Sequence, residues 1–288
     1  MRRMQMNSLY LLHNHGQSAM NHSVSGINPQ LLLGFFFIFL LVAYITAVII
    51  TNQRYKKWPI FRAVCWTIGM VVALVAVVGP LANSAHSNFT AHMLSHLLLS
   101  MVAPIFMAVA KPVTLTLRTA NTTFARKLTS ILKSRLLQFV SHPITAAILN
   151  VGGLWLLYTT NLFVLMHENA LFAFFVHLHF FIAGYVFTIS IIYFDPVYHQ
   201  YSYRFRATVL IIAIAGHDIL SKYMYANPPA GISQQEAEMG SMVMYYAGDW
   251  IEVALIIIFC WQWYKSTKPR KSIRDGFNSE QPFAVEGK

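Results

Sequence analysis

The 288-residue chain is poor in cysteine and in charge. Its two cysteines, Cys65 and Cys260, each lie inside an apolar run. That placement excludes a CxxC redox motif and a thiolate zinc site, and it argues against a disulfide framework. Only 11% of the residues are charged and 56% are hydrophobic, whereas a typical soluble domain has about 25% charged residues. The composition therefore predicts a polytopic membrane protein.

Acidic residues are scarce as well, with 10 Asp and Glu against 21 Lys and Arg, for a net charge of +11. The basic residues cluster in loops that follow alternate apolar runs, so we expect no nucleic-acid partner. The sequence also lacks a Gly-rich phosphate loop, a serine nucleophile motif and an internal repeat. We therefore expect no enzymatic activity.

Seven apolar runs are long enough to cross a bilayer as helices. They lie near residues 29–51, 60–82, 91–110, 143–165, 171–194, 205–225 and 240–264. The predicted fold class is all-α, a seven-transmembrane-helix bundle that occupies residues 29–264.

The loop charges predict the orientation of this bundle, because cytoplasmic loops carry an excess of Lys and Arg. The basic residues follow the first, third, fifth and seventh runs: Arg54, Lys56, Lys57, Lys111, Arg118, Arg126, Lys127, Lys133, Arg135, Arg204, Arg206, Lys265, Lys268, Arg270, Lys271 and Arg274. The opposite loops are nearly free of them. We therefore expect the N-terminus outside and the C-terminus in the cytoplasm.

Three polar segments flank or interrupt the bundle. Residues 1–28 form an external tail with His13, His15 and His22; such a tract is typical of metal binding, although chance histidines in a polar tail fit equally. The cytoplasmic loop 111–141 has the pattern of a basic amphipathic helix on an anionic membrane surface. The cytoplasmic tail, 265–288, is expected to be disordered.

The third run, AHMLSHLLLSMVAPIFMAVAKP (residues 91–112), carries His92 and His96 at its entry. Residues four apart lie on one face of a helix, so both imidazoles are expected to point the same way. An ionisable or polar group inside a membrane is costly and by default indicates a functional site. The alternative is that both histidines lie in the wet interface.

Other ionisable groups fall in the same predicted outer half of the membrane: His177, His179, His217, Asp218, Asp249 and Glu252. Three interpretations fit this clustering. The first is a metal site, with copper favoured by the His/Met-containing tail and nearby methionines. The second is a b-type haem held by two histidines. The third is a proton or solute pathway in a seven-span sensor or transporter.

The chain resembles the CtaG family of cytochrome c oxidase assembly factors, of the multi-spanning Gram-positive type. The resemblance rests on the His-Met-x-x-His and Ala-Pro pattern of residues 91–112 and extends to Tyr264. It continues through His142-Pro143, HENALFAFFVHLHFFIAGYVF, Asp195-Pro196, AGHDIL and QQEAEMGSMVMYYAGDW. The family commonly has Gln at Ser95, and Glu-Leu-Pro where Asp249-Trp250-Ile251 stands.

This resemblance implies a role in maturing the haem-copper oxidase, by helping to insert copper(I) into its catalytic subunit. The metal-site residues that it implies are His92, His96, His177, His179, His217 and Asp249. Possible accessory residues are His13, His15, His22 and Glu252. The expected location is the bacterial plasma membrane, with the oxidase subunit, membrane lipid and other assembly factors as partners.

Overall fold

The structure, a computed structural model, describes residues 29–197 and 199–268. Within those ranges the chain forms α-helices and two π-helical turns, Leu98–Val102 and Ile148–Gly152, and contains no strand. The helices are α1 (Pro29–Arg54), α2 (Ile60–Val77), α3 (Pro80–Ala85), α4 (Phe89–Leu97), α5 (Ala103–Val109), α6 (Pro112–Thr119), α7 (Thr122–Leu132), α8 (Arg135–Val140), α9 (Pro143–Ala147), α10 (Gly153–Thr159), α11 (Leu162–Glu168), α12 (Ala170–Ile191), α13 (Tyr203–Ala226) and α14 (Gln234–Thr267). The predicted all-α fold is confirmed. The proposed metal-binding tail, with His13, His15 and His22, lies outside the described residues.

Six helical segments are long and apolar enough to cross a membrane. They are Gln30–Arg54, Ile60–Val77, Phe89–Val109, Ala170–Ile191, Tyr203–Ala226 and Gln234–Thr267. The predicted fourth span is divided into Pro143–Thr159 and Leu162–Glu168, which are bent by 81°. The chain has seven spans if this bent pair crosses as one. The seven-span count and the orientation of the termini therefore stay predictions.

The bend in the fourth segment follows from two threonines. The hydroxyls of Thr159 and Thr160 donate to carbonyl oxygens one turn earlier, at 2.6 Å in both cases. The backbone of Thr160 is extended, and its hydroxyl also accepts a hydrogen bond from Leu162 N. Such side-chain bonds offer the backbone an alternative to the helix ladder. Helix α11 therefore turns away from the axis of α10.

The bounds of two other predicted spans need correction. The second span was expected to run to residue 82, but α2 ends at Val77 because Gly79 has a φ of +96°, which glycine adopts without a steric cost. Pro80 then begins α3. The last helix begins at Gln234 rather than residue 240, because Ser233 caps it by accepting a hydrogen bond from Glu236 N. It continues to Thr267, beyond the predicted end at residue 264.

The amphipathic segment of the loop 111–141 forms two helices rather than one. Asn121 caps α7, and the hydroxyl of Ser134 caps α8 by accepting a hydrogen bond from Leu137 N. The apolar residues Phe124 and Leu136 remain largely exposed. This exposure agrees with the predicted contact of the segment with a lipid surface.

The π turn Leu98–Val102 lies against helix α12 at Gly184. A Cβ atom at Gly184 would overlap the backbone oxygen of Ser100. Only glycine permits this approach, and small residues at such contacts are typical of packed membrane helices. The contact fixes α12, which carries His177, against the helix that carries His92 and His96.

One apolar cluster surrounds the end of the bundle at which His92 lies, which we call the histidine end. Its buried members include Phe89, Met93, Tyr158, Phe163 and Met244. The aromatic rings of Phe89 and Phe163 meet edge to face at 5.6 Å between centroids. Large apolar side chains elsewhere, such as Phe35 and Trp250, point outward, as expected for helices in lipid.

Candidate metal centre

The two histidines of α4 are buried and line two different cavities. The exposed fractions of His92 and His96 are 7% and 6%. His92 lines a cavity of about 40 Å³, the first cavity, and His96 lines one of about 30 Å³, the second cavity. This burial argues against the alternative that both lie in a wet interface. They share a helix face, yet the structure does not place them in one common cavity.

The first cavity collects four histidines from separate parts of the chain. His86 follows α3, His92 is in α4, His167 is near the end of α11, and His177 is in α12. The ring centroid of His92 lies 6.2 Å from that of His167 and 6.4 Å from that of His177. The buried side chain of Met166 completes the donor set. Among the described residues, no Asp or Glu lines this cavity.

Three of these imidazoles have one ring nitrogen held by an oxygen. Nδ1 of His177 and Nδ1 of His167 lie 2.7 Å and 2.9 Å from the carbonyl oxygen one turn earlier. A carbonyl can only accept, so both Nδ1 atoms donate and both Nε2 atoms keep a lone pair. Nε2 of His92 lies 3.0 Å from the hydroxyl of Tyr158, so Nδ1 is the ring nitrogen of His92 that could bind a metal. Metal-ligating histidines are oriented in this way.

His86 adds a fourth imidazole, from the turn after α3. The side-chain nitrogen of Gln30, 2.8 Å away, donates a hydrogen bond to Nε2 of His86. The lone pair of His86 therefore reaches a metal only when this bond is given up. Partial burial lowers the pKa of His86, and the neighbouring His167 lowers it further. The ring is therefore neutral at pH 7, the form in which imidazole binds metals.

Three members of this wall, His86, Met166 and His167, were not predicted from the sequence. All three lie between predicted apolar runs, outside the spans in which ionisable groups indicated a site. Met166 and His167 reach the cavity because α11 turns at the bend after Thr160. No hydropathy signal reports that bend, since the residues on both sides are apolar.

The second cavity is lined by His96, Asn150, His217 and Glu252, among others. Nδ1 of His96 and Oδ1 of Asn150 are buried and have no hydrogen-bond partner among the described residues. Buried polar atoms are usually paired, and a cavity of this size has room for water or an ion. The second cavity is therefore a polar site of its own.

The carboxylates near the second cavity converge on His217. Nδ1 of His217 lies 3.1 Å from Glu252 Oε1 and 3.9 Å from Asp218 Oδ1. One ligand atom from each of the three residues lies within 4.8 Å of the others. Helix α14 approaches closely at Gly248, where a Cβ atom would stand 2.7 Å from His217 Cε1. The accessory residue Glu252 thus contacts His217 directly.

Two predicted site residues line neither cavity. The side chain of His179 is exposed, and its Nε2 donates to the carbonyl oxygen of Leu149 at 3.3 Å, within the second π turn. Residues two apart do not share a helix face, so His177 lines the first cavity and His179 does not. Asp249 is half-buried on α14 and belongs to the wall of neither cavity.

Two further motifs act at helix starts. Asp195 accepts hydrogen bonds from the backbone nitrogens of Val113 and Thr114, at 3.0 and 2.8 Å, and so caps α6. His142 precedes Pro143 and caps α9 by accepting a hydrogen bond from Ile144 N at 3.3 Å. Both therefore have a structural role that is separate from the two cavities.

A family model described as cytochrome c oxidase caa3 assembly factor (Caa3_CtaG) matches residues 42–266 of the chain. This match includes every histidine of the two cavities and confirms the resemblance found in the sequence.

Similar proteins are found in mycobacteria. An uncharacterized protein of Mycobacterium leprae is 24% identical over 280 residues, which cover 88% of this chain and 41% of that protein. Uncharacterized proteins of Mycobacterium bovis and Mycobacterium tuberculosis are each 30% identical over 199 residues, which cover 65% of this chain and 29% of theirs. The chain thus spans less than half the length of these curated relatives. No solved structure matches the chain.

Proposed function

Because this chain belongs to the family of cytochrome c oxidase caa3 assembly factors, we propose that it binds copper(I) in the first cavity. From there it helps to insert the copper into the catalytic subunit of a haem-copper oxidase. The observation that carries this proposal is the convergence of His86, His92, His167, His177 and Met166 on one cavity.

The donor chemistry supports copper(I) as the cargo. Imidazole and thioether are the side-chain donors that suit copper, and thioether favours its reduced form. The wall offers neutral donors and, among the described residues, no carboxylate. A neutral set suits a singly charged ion that must later leave, because a carboxylate would bind harder, divalent competitors. A volume of about 40 Å³ fits one ion and favours copper over the alternative of a haem.

The route of the copper follows from the predicted topology. With the N-terminus outside, the histidine end faces the outer side, and His13, His15 and His22 of the external tail collect copper before it enters the cavity. The protein acts in the bacterial plasma membrane as a multi-pass protein without catalytic activity. It transfers copper laterally to the oxidase subunit, alongside other assembly factors.

Replacing one cavity histidine in living cells tests this function. In bacterial cells that lack the gene, a copy with His177→Ala should restore little copper in the oxidase and little oxidase activity at scarce copper. His179→Ala is the matched control, because it removes an imidazole from the same helix on a face away from the cavity. It should restore both. Full oxidase activity with His177→Ala, at equal protein level in the membrane, would contradict the proposal.

A further inference from the structure

The second cavity contains a histidine whose geometry does not fit a simple ion pair. Nδ1 of His217 is 3.1 Å from Glu252 Oε1, yet neither ring nitrogen of His217 makes an aligned hydrogen bond to a described residue. The exposed fraction of His217 is 4% and that of Glu252 is 5%. The two atoms lie side by side and do not point at each other.

Such a side-by-side arrangement is typical of two ligands that share a metal ion. With bonds of about 2.0–2.2 Å to nitrogen and oxygen, adjacent ligand atoms lie about 3.0–3.4 Å apart. The separation of 3.1 Å between His217 Nδ1 and Glu252 Oε1 falls in that interval. Asp218 Oδ1, 3.9 Å from the same nitrogen, is buried and has no hydrogen-bond partner among the described residues. It is therefore placed to be a third ligand.

The carboxylates beside the second cavity also favour a cation. Glu252 and Asp218 are both in helices that can cross the membrane, where an uncompensated carboxylate is costly. In the described part of the chain, His217 is the one residue that forms an ion pair with either carboxylate. A bound divalent ion would neutralise both carboxylates.

From this geometry we infer that His217, Glu252 and Asp218 form a second metal site, which takes a divalent first-row transition metal. One imidazole and two carboxylates make a harder donor set than the imidazoles and thioether of the first cavity, so the two sites differ in the metals that they prefer. His96 and Asn150, whose unpartnered polar atoms are buried in the same cavity wall, can hold the water that completes the coordination. This inference stands on different residues from the proposed copper function.

Cobalt(II) is a suitable probe, because its ligand-field bands in visible light report coordination by protein. The purified full-length protein, stripped of metal in detergent, should bind Co²⁺ stoichiometrically and show these bands. Loss of a residue that orients a ligand typically lowers the metal affinity about 10–100-fold. Loss of the ligand itself should lower the affinity by at least as much. Both Glu252→Gln and His217→Gln should therefore weaken Co²⁺ binding by at least about tenfold. Glu238→Gln, at a carboxylate of the same helix that bonds to Gln234 and lines neither cavity, is the matched control and should not change it.

A second measurement uses only the unaltered protein, because a buried substitution can also disturb folding. Protein first loaded with silver(I), a redox-stable substitute for copper(I), should bind Co²⁺ with unchanged affinity, since the soft ion fills the first cavity. Three results would overturn the inference. They are a wild-type protein that shows no Co²⁺ bands, bands that persist in Glu252→Gln, and bands that silver(I) abolishes. The first result would favour a proton-carrying pair at His217 and Glu252. None of the three excludes copper(I) binding in the first cavity.

Discussion

At the scale of single residues, the first cavity depends on hydrogen bonds that hold one nitrogen of each imidazole. Two of these partners are side chains: the hydroxyl of Tyr158 lies 3.0 Å from Nε2 of His92, and the side-chain nitrogen of Gln30 lies 2.8 Å from Nε2 of His86. His167 and His177 use backbone oxygens. A side-chain partner can be removed by substitution, so its contribution to copper affinity can be measured.

Tyr158→Phe should weaken copper(I) binding by about 10–100-fold, the usual effect of losing a group that orients a ligand. The ring remains in the apolar cluster, so the fold should be retained. Competition with a copper(I) chelator gives the affinity, and Tyr223→Phe at an exposed tyrosine is the control. An affinity equal to that of the wild type would mean that Tyr158 does not orient a ligand.

Met166 is the only thioether in the wall of the first cavity among the described residues. Met166→Leu removes the sulfur while nearly conserving the volume, a change that usually costs less than about 1.5 kcal/mol of stability. We expect it to lower the affinity for copper(I). The stability of the metal-free protein, measured as the midpoint of thermal unfolding, should stay nearly unchanged. Met93→Leu, at a fully buried methionine outside the cavity wall, should leave the affinity unchanged. Equal affinities in the two variants would show that Met166 is apolar filler.

At the scale of helices, the distance between the two histidine-bearing segments is set where α12 meets the π turn Leu98–Val102. Gly184→Ala would introduce a Cβ atom that overlaps Ser100 O, a backbone atom that cannot rotate away. We expect a loss of about 1–3 kcal/mol of stability or more, together with weaker copper binding. Gly152→Ala is the control, because its Cβ would meet the nearest side-chain atom at 3.6 Å. Thermal unfolding in detergent compares the stability of the two variants, and equal midpoints would argue against this close contact.

The elements that the sequence predicted well are those that hydropathy reports. Long apolar runs identify the helices because every residue in lipid must be apolar or paired. The bend after Thr160 and the two π turns escaped prediction, because they change hydrogen bonding without changing hydropathy. For this reason Met166 and His167 were not assigned to the site. His86 was left out because it lies between two predicted spans, and His92 and His96 were expected in one site because they share a helix face. Helical spacing separates His177 from His179, because residues two apart do not share a helix face.

At the scale of the whole molecule, the account requires the histidine end to face the side from which copper arrives. The basic loops predict that this is the outer side. Reporter fusions after residue 85, at the histidine end, and after residue 120, between α6 and α7, should report the outside and the cytoplasm respectively. Both reporters on the same side would mean that the predicted span count is wrong, and exchanged sides would reverse the route proposed for copper.

The central claim, copper(I) in the first cavity, is tested most directly by the copper content of purified protein kept under reducing conditions. The wild type and His179→Ala should each hold stoichiometric copper(I), and the double variant with His92→Ala and His177→Ala should hold almost none. All three should elute as the same folded species. A double variant that retained as much copper as the wild type would contradict the claim.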